Sequence, residues 1–306
     1  MKKFAYLITA YDNLYILEKT IRLLDNERND IFIHCDIKMG NIDEFAHKIK
    51  KATVSNVEFI ERVDVKWGDY TYTDVILNLL NAAIKNTNEY HYYFLITGTS
   101  MPIKTQRYIH DFFDNQANGK LYFHINVDTH PIIQERVKAY YPLVSTKYFR
   151  KHKWLKGLSL LLGKAQIAFG INRLRNSEFN PIYNGWGWFS IPHDFAVYCL
   201  QKRDAIEKTF KYTLASDETW IHTVAMHSNF KDRVYGYNGK DDPIDASKHF
   251  QDWNRGKPYT FTKDDFKLIM DDNPAFWARK FDENKDKDIV DMIYDVIQSQ
   301  QNNQRH

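Results

Sequence analysis

Apolar residues in the first 127 positions follow two alternating spacings. "FAYLITAY" (4–11) and "DIFIHCD" (30–36) are continuous runs rich in β-branched and aromatic residues, the pattern of strands covered on both faces. Between them Leu14, Leu17, Ile21 and Leu24 recur at helical spacing. Strand, helix and strand in about thirty residues form a βαβ unit, which makes this part of the sheet parallel. "NIDEFAHKIKKA" (41–52) reads as a second helix and "VEFIE" (57–61) as a third strand. "YTDVILNLLNAAIKN" (72–86) is an amphipathic helix feeding the oily run Tyr92–Ile96. "QRYIHDFFDN" (106–115) follows as a helix and "KLYFHIN" (120–126) as a strand. This is the alternation of a nucleotide-binding half.

The last third is mixed. "NGWGWFSIP" (184–192) is a glycine-punctuated turn entering a strand, and "PHDFAVYCLQKR" (192–203) is helical. "ASDETWIHTVAMHS" (215–228) reads as a helix with a polar start, and "TKDDFKLIMD" (262–271) as one opened by Thr262 as N-cap, with acids in its first turn. The tail (285–306) is a helix fraying into glutamines. No internal repeat and no Pro- or Gly-rich linker divides the chain. The reading is one domain over 1–306: a nucleotide-binding half (1–127), an acceptor-binding and catalytic half (128–283), and a C-terminal helix and tail (284–306).

The middle breaks the pattern. No Asp or Glu occurs from Arg136 to Ser177, while Lys147, Arg150, Lys151, Lys153, Lys156 and Lys164 alternate with Trp154, Leu158, Leu160, Leu161, Leu162 and Phe169. Two readings fit. In one, residues 136–175 lie against an anionic membrane. In the other, the apolar stripe faces the core and the lysines face water.

Composition narrows the classes. The chain has 306 residues, 43% hydrophobic and 26% charged, as in ordinary globular proteins. A net charge of +3 is too small to argue for nucleic acid. Aromatics reach 15%, which suits carbohydrate sites or simply a ring-rich core. The two cysteines, Cys35 and Cys199, read as small buried hydrophobes in a reducing compartment. "MKKFAYLITAYDN" reads as strand one rather than a secretory signal, and no apolar run is long enough to span a bilayer.

"YYFLITGTSMPIKT" (92–105) carries the chemical question. In an α/β sheet, ligands collect beyond the C-terminal ends of strands. This strand ends in hydroxyls and a glycine, not in a metal-binding carboxylate pair. Asp286-Lys287-Asp288 reads as a solvated face, Asp241-Asp242 as a weak loop candidate, and the histidines show no ligand spacing. A bound diphosphate would then be neutralised by Lys and Arg.

In order, "FIHCDIK", "RVDVKWGDY", "LITGTSMPIKT", "NGWGWFSIP", "SDETWIHT" and "FWARKFD" resemble the core-2/I-branching β-1,6-N-acetylglucosaminyltransferase family, which includes the peptide xylosyltransferases. The resemblance runs from about residue 3 to about residue 283 and rests on order and spacing. It implies a GT-A glycosyltransferase fold: α/β, with a Rossmann-like, mostly parallel central sheet flanked by helices and an irregular acceptor-side region. It also implies inversion at the anomeric centre of a UDP-sugar donor, in many members without a divalent metal or other cofactor.

Carried over by position, Glu218 falls where the family has its catalytic base; its alternative is a carboxylate complementing a helix start with Asp217. Lys280 matches the lysine that grips the UDP phosphates, and the neighbouring Arg279 reads as structural. Where a second phosphate-binding arginine is expected the chain has Tyr259, leaving Arg255, Lys257 or the Tyr259 phenol to replace it. Ala10, Tyr11 and Asp36 match the uridine side, with Asp36 alternatively a strand-end acid paired to Lys38. Gly98 and Ser100 line the opening turn, Ser100 replacing an acid common in relatives. Glu135, Arg136, Lys138 and Trp253 fall in acceptor-like regions, and Trp186 or Trp188 would stack on a sugar or fill the core.

The expected function is metal-independent transfer of a sugar, N-acetylglucosamine foremost, from UDP to a hydroxyl of a glycan acceptor. A bacterial-type cytoplasmic enzyme on the inner face of the membrane, acting on a lipid-linked acceptor, is the setting that fits. The rival is a non-catalytic nucleotide-sugar or glycan binder on the same fold, and a third reading is a peripheral membrane scaffold.

Overall fold

The computed structural model describes residues 2–86, 89–126, 130–237, 246–256, 258–271 and 273–304. Its first strands are those the apolar runs predict: β1 (Lys3–Ala10), β2 (Asn29–Cys35) and β3 (Asn56–Phe59), separated by helices α1 (Leu14–Leu24) and α2 (Asp43–Ala52). Helix α3 (Tyr70–Lys85) leads into β4 (Tyr90–Thr97), the opening strand of the hydroxyl turn. A two-residue strand β5 (Met101–Pro102) and helix α4 (Gln106–Asn115) follow. The sheet order is β3-β2-β1-β4, all parallel, so β1 and β4 flank the point where the winding reverses.

Strands β1, β2 and β4 are buried along almost their whole length because both faces are covered. Ala5, Leu7, Tyr93 and Leu95 face one core with α3, while Phe4, Tyr6, Ile8, Tyr92, Phe94 and Ile96 face another with α1 and α4. The period of two along each strand thus feeds two cores from one sheet. Cys35 and Cys199 are both buried and unpaired, and burial pushes the Cys35 thiol up to about 11.

The second half departs more from its pattern. "KLYFHIN" forms only β6 (Ile125–Asn126), with single bridges from Leu121 to Val234 and from Tyr122 to Ser190. Helices α5 (Pro131–Lys138) and α6 (Lys153–Ala168) span the basic segment. Strand β7 (Asn184–Gly185) pairs with β6, and β8 (Phe189–Pro192) joins the main sheet antiparallel to β4. Helix α7 (His193–Gln201) stops at Lys202, and α8 (Arg203–Phe210) continues in a stretch that the apolar pattern did not mark.

The predicted helix 215–228 starts instead as a 3-10 turn, Ser216–Glu218, followed by α9 (Trp220–Met226). Ala215 sits at φ 53°, in the left-handed region that disfavours Ala, and Thr219 leaves the helical region at φ −129°. Strand β9 (His249–Phe250), helix α10 (Phe266–Met270), strand β10 (Trp277–Ala278) and helix α11 (Asp288–Asn303) complete the fold. Thr262 forms the expected cap, in a reciprocal box with Asp265. Asp286 accepts from the backbone N–H groups of Lys263 and Ile289, and Asp288 starts α11, so this acidic pair serves a helix start. Helix α11 packs on α1 through Ile289, Val290, Ile293 and Ile297. Among the described residues no helix is long and apolar enough to cross a membrane.

Candidate functional site

The site is built where β1, β2 and β4 end. The Gly98 N–H donates to the Thr9 carbonyl at 2.8 Å, and the Asp36 N–H to the Ala10 carbonyl at 2.8 Å, which ties the three strand ends together. A Cβ on Gly98 would lie 3.0 Å from the Ala10 Cβ, so glycine is what allows this approach. The turn beyond is closed by its own hydroxyls. Ser100 Oγ lies 2.9 Å from Thr97 Oγ1 and accepts from the Thr97 N–H, and the Ser100 carbonyl accepts from Thr20. Ser100 is fully buried, so its side chain shapes the turn from beneath.

A second small sheet, β5-β10-β9, brings two cations to this rim. Trp277 and Ala278 pair antiparallel with Pro102 and Met101, and the Phe281 N–H donates to the Thr99 carbonyl at 3.1 Å. Arg279 and Lys280, joined by a cis peptide bond, therefore sit beside the hydroxyl turn. Lys280 makes no ion pair among the described residues, and its charge reaches Asp12, whose carboxyl burial raises.

Arg279 lies beneath the surface rather than on it. Its side chain is buried at 8% exposure, with the guanidinium 4.1 Å over the Trp188 ring. It reaches Gln251 Oε1 at 3.3 Å, its Nε has no hydrogen-bond partner, and no carboxylate pairs with it among the described residues. Burial lowers its pKa to about 10. Its neighbours include the phenols of Tyr72 and Tyr11, and Tyr11 is exposed at the end of β1.

The acid-bearing turn faces the same region. Ser216 Oγ lies 2.7 Å from Thr73 Oγ1, and the Ala215 N–H donates to the Gly68 carbonyl at 2.8 Å, so the turn is pinned to the start of α3. Tyr72, one residue away, bonds Thr9 on β1 at 2.9 Å and feels both Asp217 and Arg279. A Cβ on Gly187 would lie 3.4 Å from the Asp217 carbonyl, and the next residue, Trp188, lies under Arg279. Asp217 and Arg279 thus both border Tyr72 and the Gly187–Trp188 segment. Burial, and then the charge of Glu218, push the Asp217 carboxyl up to about 7. Glu218 is half exposed and accepts from the Arg136 guanidinium of α5 at 3.2 Å.

The other expected site residues separate. Trp186 stacks on His124 at 4.5 Å and leans on the exposed Trp253 at 6.1 Å, an aromatic wall next to Asp217. Glu135 gives its backbone carbonyl to the Tyr141 hydroxyl, and Lys138 ends α5 partly exposed. The Asp36 carboxylate is enclosed. It accepts from the Lys38 N–H, Lys38 Nζ at 2.7 Å and the Val65 N–H, which is the Lys38 pairing rather than an open ligand. Arg255 is held by Asp252 at 2.5 Å and Asp265 at 2.7 Å and stacks on Tyr259 at 4.2 Å, so its charge is already neutralised. Tyr259 lies between Arg255 and Lys285 as a shelf for cations. Lys257 and the Asp241-Asp242 pair lie outside the described residues. Among the described residues no group of three His, Cys, Asp or Glu side chains is placed to hold a metal.

The family model described as Core-2/I-Branching enzyme matches residues 4–270. The chain belongs to this family. A protein named xylosyltransferase from Ciona intestinalis is 19% identical over 292 residues, covering 90% of this chain. The chain spans only 32% of that relative's length. Among solved structures, mouse xyloside xylosyltransferase 1 in its apo form aligns over 91% of this chain and 97% of its own, at 10% identity and TM-score 0.40. S. aureus TarS 1-349 aligns over 74% of this chain and 56% of its own, at 11% identity and TM-score 0.37. Family membership agrees with the mixed α/β, mostly parallel fold described above.

Proposed function

We propose that the protein transfers a sugar, N-acetylglucosamine foremost, from a UDP-sugar to a hydroxyl of a glycan acceptor, with inversion and without a divalent metal. The observation that carries the reading is the approach of an acid-bearing turn to Arg279, which has no acid partner among the described residues, at the rim of the parallel sheet where Lys280 also lies. Glu218 takes the proton of the acceptor hydroxyl as its oxygen attacks the anomeric carbon from the face opposite the nucleotide. The sugar–phosphate bond breaks with its electron pair going to the UDP oxygen, where Lys280 and Arg279 offset the growing charge. Arg279 replaces the expected upstream arginine, since Arg255 is already tied to two carboxylates. Arg136 holds the Glu218 carboxylate in place until an acceptor enters. A lipid-linked glycan is the acceptor class that best fits the basic flank of this opening.

The test is UDP release from a panel of UDP-sugars with a soluble glycan acceptor and EDTA present. Release by the wild type and its loss in Glu218→Gln support the reading. Donor binding without release would make the protein a binder, and release that EDTA abolishes would return the charge-offsetting role to a metal.

A further inference from the structure

Helix α6 is packed with its small residues inward and its large ones outward. Of its residues only Ser159 and Gly163 are buried. A Cβ on Gly163 would lie 2.5 Å from the Tyr141 ring, so the helix is seated tightly there. Gln166 locks it further, accepting from the Tyr140 N–H at 3.0 Å and donating to the Tyr140 carbonyl at 2.8 Å. Meanwhile Trp154 is 66% exposed, Leu161 65% and Phe169 88%, with Leu158 and Leu162 also exposed. At spacings of three and four these residues form one outward stripe, and Lys153, Lys156 and Lys164 lie along its flank. A core-facing helix would show the reverse, so the second of the two sequence readings is overturned.

We propose that this face is a docking surface for an anionic lipid bilayer. Charge complementarity decides the occupant. Lys147, Arg150, Lys151, Lys153, Lys156 and Lys164 have no carboxylate within reach among the described residues, and the whole stretch 136–177 lacks an acid. Two copies joined through this face would bring like charges together across a two-fold axis. An anionic headgroup layer meets the lysines while the stripe enters the acyl boundary. Exposed Trp67, under Lys156, and exposed Tyr148 add the rings that settle at such interfaces. Beside the stripe, Tyr140, Leu143, Leu162, Phe169 and Ile171 line an apolar trough of about 250 Å³ open to the same side. Helix α6 packs on α5, whose Arg136 holds Glu218, so the docked helix is one element away from the proposed base. Only this last link rests on the transfer reading; the surface stands without it.

The experiment is flotation of the full chain with vesicles of phosphatidylcholine alone or mixed with phosphatidylglycerol. The wild type should float with the mixed vesicles, less so as salt rises, with a blue shift in tryptophan emission. Replacing Lys153, Lys156 and Lys164 by Gln should weaken binding roughly a hundredfold, about fivefold per cation. Leu158→Gln, Leu161→Gln and Phe169→Gln together should abolish the blue shift and most of the binding, with melting temperature and soluble-acceptor UDP release unchanged. Absence of wild-type binding, binding by either variant as strong as that of the wild type, or salt-insensitive self-association relieved by the apolar triple would overturn the proposal. Failure of transfer with vesicle binding intact would strike only the transfer reading.

Discussion

The strand-end rim and helix α6 use the same residue types in opposite places. At the rim, a guanidinium is buried without an acid partner and stacked on Trp188, and hydroxyls close a turn beneath it. On α6, lysines stand in water and the large apolar side chains stand beside them, while Ser159 and Gly163 make the contact. Each arrangement costs folding stability. A desolvated charge without a counter-ion is unfavourable, and so is exposed apolar surface. Under the two proposals above, each would be relieved from outside: by a polyanion at the rim and by a bilayer at the helix. Departure from ordinary burial is therefore the most informative feature of both regions, more than any single motif.

The largest effect expected is at the rim. Glu218→Gln should lower turnover by about 10²–10⁴-fold, with UDP-induced thermal stabilisation kept; unchanged turnover would move the base to Asp217. Next, Arg279→Met should raise the melting temperature of the empty protein by a few degrees while removing the stabilisation that UDP gives. A lower melting temperature with UDP stabilisation intact would make Arg279 a structural residue. That result would dissolve the contrast drawn here.

Acid should act through the buried histidines of the core. Burial holds His34 down to about 4 and His110, His222 and His249 down to about 3. Unfolded histidines bind protons below about 6.5, so folding stability falls as pH drops from there toward 4 and is insensitive to these groups above 7. Urea midpoints across pH 4–8 measure this directly, about 6.5 being the expected onset. The smallest effects are on the helix. Gly163→Ala should cost about 1–3 kcal/mol by pushing α6 off Tyr141, whereas Leu161→Gln should stay within about 0.5 kcal/mol. Equal losses would mean that the outward leucines are packed after all.

The chain's own pattern was sufficient for the parallel half. Runs such as 4–11 and 30–36 specify doubly covered strands because apolar residues fall on both faces, and Leu14, Leu17, Ile21 and Leu24 specify a helix by period alone. The order of short motifs was enough to identify the family and to name Glu218 and Lys280 as candidates. Short elements were not legible. The "KLYFHIN" stretch has strand composition, but its partners Ser190 and Val234 are brought to it only by the folded chain. Periodicity also could not see that Ala215 would turn left-handed and break the predicted helix ahead of Asp217 and Glu218.

Local sequence determined which segments became strands and helices, because covalent geometry and side-chain period act over a few residues. Tertiary structure alone decided which charges were left unpaired. Arg255 and Arg279 look alike in the sequence, yet one finds Asp252 and Asp265 and the other only Trp188 and Gln251. Whether a cation keeps its charge available depends on which distant carboxylates the fold places within a few ångströms, and on how much water the same packing excludes.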